Sequence, residues 1–227
     1  MNVTKKSLPA LLMIHKPWLA IGVILAMAVV IFTYKYLTKP VLRARPTKLS
    51  VVNVQNIIKK HDFFAEYDNP YGKGFDNDFG LQKDSLVVYD LNSNLMWQQS
   101  GSDTSMEFEK AKQWITELND KRFAGFNDWR LPTLEEAMSL MEPEKKSDLL
   151  IDPRIEEAMN EMEPEIKKGL YIDPIFNSKQ VWIWTADQVK GSSSAWIVNF
   201  YLGVCDPYYT INSYVRAVRS GQPNESD

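Results

Sequence analysis

The chain has 227 residues, enough for one domain with accessories, and a formal net charge of −3. That value conceals a division: residues 1–49 hold eight Lys/Arg and no Asp or Glu, while residues 50–227 hold 18 Lys/Arg and all 29 Asp/Glu, a charge of −11. An acidic body of this size repels polyanions at long range, which argues against a nucleic-acid partner, and a single cysteine rules out an intrachain disulfide or a cysteine-based zinc site.

Residues 1–16 form a basic N-terminal segment. Trp18 to Tyr34 then carries no charge, and Tyr36 and Leu37 extend the run past Lys35. At about 1.5 Å per residue, about 20 such residues cross a hydrocarbon core of about 30 Å. A transmembrane helix is therefore predicted over 17–37, with Trp18, Tyr34 and Tyr36 as interfacial aromatics and Lys35 snorkelling outward. A cleaved leader is the competing reading, because Ala26-Met27-Ala28 resembles a cleavage site. The apolar run continues through Val29-Val30-Ile31-Phe32, which favours an uncleaved anchor. Lys5, Lys6 and Lys16 precede the span, whereas Lys35, Lys39, Arg43, Arg45 and Lys48 follow it. Flanking charge alone thus points the C-terminal part toward the cytoplasm.

Residues 38–50, with Pro40 and Pro46, read as a basic linker, and 51–84 as a short helix followed by an Asp/Asn/Gly-rich loop. Val51, Val54, Ile57 and Ile58 repeat at helical spacing up to about His61. Asp76-Asn77-Asp78-Phe79-Gly80 lacks the third alternating acid and the closing Glu of a calcium loop, so no metal is predicted. Leu86–Tyr89 and Leu95–Trp97 flank an Asn-rich turn and predict a hairpin. Thr104 with Glu107 has the spacing of a capping box, ahead of an apolar face built from Phe108, Ala111, Trp114, Ile115 and Leu118. Phe126 to Thr133 reads Phe-Asn-Asp-Trp-Arg-Leu-Pro-Thr, a tight loop leading into a second box, Thr133 with Glu136.

Residues 141–153 and 162–174 match at nine of thirteen positions, at an offset of 21. Two copies are too few for a repeat array. The duplication reads as a lengthened surface loop over 141–174. The C-terminal third has strand composition at 181–185, 195–201 and 214–219, separated by turn-rich stretches at 186–194 and 203–213. Residues 221–227 read as a disordered polar tail. Cys205, among apolar and aromatic neighbours, reads as a small buried side chain.

Trp97, Trp129 and Trp184 are expected in the core. Asp128 and Arg130 are expected to close their loop by an ion pair or backbone hydrogen bonds. Arg216 and Arg219, three apart on a strand, face opposite sides, so one is expected to meet a carboxylate and the other water. Candidate ligand-binding residues are those in turn-rich surroundings: Asp187, Asp206, Tyr208, Tyr209 and Asn212.

An ordered set of motifs now carries a resemblance. Val-Val-Tyr-Asp…Asn-Leu-Met-Trp-Gln (87–98), Gly-Phe-Asn-Asp-Trp-Arg-Leu-Pro-Thr (125–133), Ile-Asp-Pro-Ile-Phe (172–176), Trp-Ile-Trp-Thr-Ala-Asp (182–187), Ala-Trp-Ile-Val-Asn-Phe (195–200) and Val-Arg-Ala-Val-Arg (215–219) follow one another. This set resembles the family typified by the C-terminal domain of the Legionella collagen-like adhesin, over roughly 85–220. The resemblance implies an α+β, C-type-lectin-like fold, related to that of the formylglycine-generating sulfatase-modifying enzymes, with two helices and a meander of short antiparallel strands. It also implies an exported bacterial domain that recognises a glycan or protein ligand. On that basis the domain is expected on the periplasmic side of the inner membrane, against the flanking charges. The enzymes related in fold use paired cysteines, which Cys205 alone cannot supply. His15 and His61 both lie outside the motif region, and no phosphate loop or nucleophile elbow occurs. A non-enzymatic module without cofactor is therefore expected; a cytoplasm-facing scaffold is the alternative, and an enzyme a more distant one.

Overall fold

The computed structural model describes residues 20–27, 41–146, 153, 157, 168–207 and 212–221. It divides into two units, Met1–Pro40 and Val41–Asp227. Within the first, residues 20–27 are helical; the rest of the expected 17–37 span, and residues 1–16, lie outside the described residues. Among the described residues no helix is long and apolar enough to cross a membrane.

The second unit is a mixed α+β fold built on two four-stranded sheets. The strands are β1 (Lys48–Leu49), β2 (Phe79–Gln82), β3 (Val87–Asp90), β4 (Leu95–Gln98), β5 (Trp182–Val189), β6 (Ala195–Asn199), β7 (Val204–Asp206) and β8 (Val218–Ser220). One sheet runs β1-β5-β6-β7 and the other β2-β3-β4-β8. All pairings are antiparallel except β1 with β5. The segment ahead of β8 joins the sheets, since Tyr214 bridges Ile183 while Val218 pairs with Trp97.

The expected hairpin forms, with Val88 opposite Trp97 and Asn94 in the left-handed region at φ 56°. Alternation is weak in the central strands: all five residues of β6 and all four of β4 are buried. Strands covered on both faces need continuous apolar runs, as Ala-Trp-Ile-Val supplies. Trp97 and Trp196 anchor the main core with Phe63, Phe176, Phe200 and Leu134, while Trp184 and Trp129 each centre a smaller cluster.

Among the described residues, the helices α1 (Val51–His61), α2 (Phe108–Asp120) and α3 (Leu134–Met138) position the rest. Ser50 and Asn53 form a reciprocal capping box for α1, and Asp62 ends it in the left-handed region. The box at Thr133 and Glu136 forms as expected and starts α3.

The other expected box does not form. Glu107 is the N-cap of α2 and makes no side-chain cap bond, because Met106 is held in a two-way backbone pairing with Ser213 (2.9 and 3.0 Å) that keeps the chain extended up to that point. The stretch read as turn-rich after residue 203 contains β7. Nor is 41–50 detached from the domain. Leu49 is in the core, Lys48 and Leu49 pair with Gln188 and Val189, and Arg43 reaches the buried face of α3.

Candidate functional site

The Asp-Trp-Arg-Leu-Pro-Thr stretch is a structural hub. Trp129 is buried, and its backbone N–H and C=O are both bonded to the Asn119 side chain at 2.8 Å. Asp128 and Arg130 do not pair with each other. Arg130 makes a two-pronged bond to Glu136 (2.7 and 2.6 Å), fastening the loop to α3. Asp128 receives the Arg219 guanidinium at 2.6 and 3.1 Å, and that guanidinium also lies 3.9 Å over the Phe126 ring.

Neither strand arginine is solvated, contrary to expectation. Arg219 is 3% exposed and Arg216 0%. Among the described residues Arg216 meets no carboxylate: it donates to the carbonyls of Gln98, Gln99 and Asn177 and to Gln180 Oε1, with Phe176 stacked at 4.8 Å. Burial pushes its guanidinium down to about 9, which still leaves it charged at neutral pH. The wrong inference came from strand alternation. Arg216 precedes β8, where the chain is passing between the sheets and both flanks are covered.

The candidate ligand residues fall in separate neighbourhoods. Asp187 is fully buried, at a register shift between β5 and β6. Its oxygens accept from Arg43 (2.8 Å twice), the Thr47 amide (2.6 Å) and the Leu134 amide (2.7 Å). It is a structural carboxylate with no free face. Asp206 is half-buried at the end of β7; burial, then the nearby Asp68 charge, raises its pKa. Tyr208 and Tyr209 lie outside the described residues.

Asn212 is exposed and lines a cleft of about 380 Å³ with the 104–106 segment, the N-cap Glu107, and Lys110, Gln113, Trp114 and Glu117 of α2. The four positions 107, 110, 114 and 117 follow helical spacing, so they form one stripe along α2. Trp114 is half-buried mid-stripe, braced against two of the hydrophobic clusters. The far wall is rigid: Trp182 Nε1 donates to the Asn212 carbonyl (3.1 Å), and Trp184 Nε1 to that of Met106 (2.7 Å). Sequence reading picked Asn212 but missed the α2 stripe, whose polar residues looked like an ordinary solvated helix face. The available signal was Trp114 placed between Lys110 and Glu117. The cleft offers hydrogen-bonding carboxylates, amides and an ammonium around an aromatic edge. Among the described residues the cleft has no buried nucleophile, and no group of three or more His, Cys, Asp or Glu is placed to hold a metal.

These features define a mixed α+β domain that carries a polar, aromatic-edged cleft along α2. Residues 86–219 match the family described as the Lcl C-terminal domain, and the chain belongs to that family. It is the family of adhesin-type domains that the ordered motifs resembled. No curated protein and no solved structure matches the chain.

Proposed function

We propose that this chain is a membrane-anchored, non-enzymatic recognition module whose C-type-lectin-like domain binds a glycan in the cleft along α2. The observation that carries the reading is the stripe of Glu107, Lys110, Trp114 and Glu117 facing Asn212; Tyr208 and Tyr209 precede Asn212 closely in sequence. Sugar recognition needs an aromatic face or edge and a few fixed polar groups around it, and the cleft offers both. Membership of the adhesin-type family supports a binding role. The acidic body, with two glutamates in the cleft against one lysine, favours neutral or amino-bearing sugars over sulfated ones. Residues 17–37 supply the anchor, and the module faces the bacterial periplasm.

The test is binding of the full chain, in detergent, to immobilised chitotetraose, muropeptides and heparin. Chitotetraose or muropeptide binding is expected to fall about tenfold or more in Gln113→Ala/Glu117→Ala and in Tyr208→Ala/Tyr209→Ala. Binding confined to heparin, or unchanged by both double substitutions, would sink the assignment. A second reading, a cytoplasm-facing scaffold, is favoured by the five Lys/Arg that follow the apolar run against three before it. Alkaline phosphatase fused after Asp227 decides between them: activity supports the periplasmic module, and silence supports the scaffold.

A further inference from the structure

Charge is segregated along the folded body. Residues 41–61 hold five Lys/Arg and no Asp or Glu, whereas residues 62–227 hold 16 Lys/Arg and all 29 Asp/Glu. Arg43 is engaged by Asp187 and Glu135. Arg45, Lys48, Lys59 and Lys60 are exposed, and among the described residues none of the four has an ion-pair partner. Lys190, also exposed, lies beside β1, since its amide bonds the Leu49 carbonyl at 2.8 Å.

The outer face of α1 continues this basic surface. Val54 and Ile58 are the buried residues of the helix. Val52, Asn56 and Lys59, spaced i, i+4 and i+7, therefore run down the middle of the opposite face. Val51 and Val52 are 55% and 63% exposed, and neither belongs to a hydrophobic cluster of the fold. Carboxylates stand only at the margins: Asp68 accepts from Gln55 on one flank at 3.0 Å, and Asp62 caps the far end. Single exposed apolar side chains are ordinary, but here an adjacent pair sits among unpaired cations.

The place of this surface in the chain indicates what it meets. Arg43 and Thr47 both bond Asp187, which fixes the entering segment, and Ser50, three residues after Thr47, caps α1. Only residues 38–42 separate Arg43 from Leu37, the end of the apolar run. Six residue steps reach about 22 Å at full extension. An anchored chain therefore keeps the Arg43 end of the body close to the lipid headgroups. Four or more Lys/Arg beside a span, with apolar side chains among them, suit an anionic bilayer surface. The same surface repels the acidic remainder of the body.

We propose that Arg45, Lys48, Val51, Val52, Lys59 and Lys60 form a docking face for anionic phospholipid, with α1 lying along the bilayer surface. Such docking rests on the membrane anchor proposed above, and it works on either leaflet. It gives the lysines and arginines after the apolar run a role besides marking topology: they hold the body against its own membrane. An acidic protein would attract the same lysines, but the exposed valines and the short tether favour lipid.

The test uses the full chain reconstituted into phosphatidylcholine vesicles, with or without an equal part of phosphatidylglycerol. An environment-sensitive fluorophore is placed on Asn56→Cys, and the buried Cys205 stays unlabelled. Quenching of this label by lipids brominated along the acyl chain is expected to be about threefold stronger in the anionic vesicles. Lys59→Glu/Lys60→Glu should abolish the difference, and Val51→Ser/Val52→Ser should reduce it. Equal quenching in both vesicle types, or a difference untouched by either double substitution, would refute docking through this face. So would equal quenching of a label on Lys121→Cys, an exposed position at the end of α2. Alkaline carbonate reads the anchor separately. A chain that resists extraction while its label at Asn56 reports water keeps the anchor and overturns the docking. A chain that is stripped loses the anchor, and quenching of the same label on added anionic vesicles then decides docking by itself.

Discussion

Arg43 and Asp187, 144 residues apart in the chain, face each other through two parallel hydrogen bonds of 2.8 Å. Asp187 is fully buried, and its remaining hydrogen bonds come from the amides of Thr47 and Leu134. Arg43 also bonds through its own amide to Glu135 at 2.7 Å, and its carbonyl accepts from the Thr133 hydroxyl at 2.6 Å. The segment entering the domain is thereby tied to the start of α3 and to β5 at once. Arg43→Ala leaves a buried carboxylate without its cation. A loss of about 3 kcal/mol is expected, seen as a lower urea midpoint at unchanged slope. A variant within 0.5 kcal/mol of the natural chain, on the order of an ordinary surface change, would show the pair to be dispensable.

His61 predicts a pH dependence. Burial is the main cause of its lowered pKa, opposed by Glu135, whose Oε2 lies 3.5 Å from Nε2, and reinforced by the Lys60 charge; the ring stacks on Phe63. The unfolded chain therefore takes up this proton before the folded one does. Stability from this group is intact above about pH 6.5, the usual histidine value, and is lost as pH falls below it. His61→Gln should flatten the slope of stability against pH below about pH 6.5 relative to the natural chain. Parallel slopes would assign the dependence to other groups.

Cys205 is expected to be inert. It is buried on β7, and burial first, then the charges of Asp206 and Asp68, push its thiol well above the usual range. Thiolate is the reactive form. Iodoacetamide at pH 8 should leave the native chain unlabelled for hours and label it fully in urea; rapid native labelling would mean that β7 opens readily.

Gly101→Ala tests a close approach. Gly101 lies at φ +77°, and a Cβ would fall 2.5 Å from the Val215 carbonyl, which also accepts the Ser102 amide at 2.7 Å. Backbone strain alone costs about 1–3 kcal/mol, and displacing the backbone at Val215 adds to it. A melting temperature unchanged by the substitution would show that the loop relaxes freely.

What the sequence disclosed depended on how local each determinant is. Thr133 and Glu136 form their box because both partners lie within one turn. The hairpin around Asn94 was legible for the same reason, as was burial of Trp97 and Trp129. Thr104 and Glu107 have equally good spacing and fail, because Ser213, over 100 residues away, holds Met106 extended. Arg130 chose Glu136 over its near neighbour Asp128, and Asp128 went to Arg219. Asp187 looked like a ligand residue because its partner, Arg43, sits in a stretch that reads as linker. Long-range pairing overrode local pattern in each of these cases. The α2 cleft was hidden for another reason: polar residues on a helix face look alike whether they meet water or a ligand.

Arg216 has a consequence for tolerance to sequence change. Three of its four acceptors are main-chain carbonyls, at Gln98, Gln99 and Asn177. A carbonyl is the same whatever side chain its residue carries. The guanidinium therefore gauges where those backbones run and is indifferent to the letters at those positions. The arginine itself therefore places no demand on the side chains at 99 and 177, which answer only to their own bonds, from Gln99 to the Ile175 carbonyl and from the Lys179 amide to Asn177.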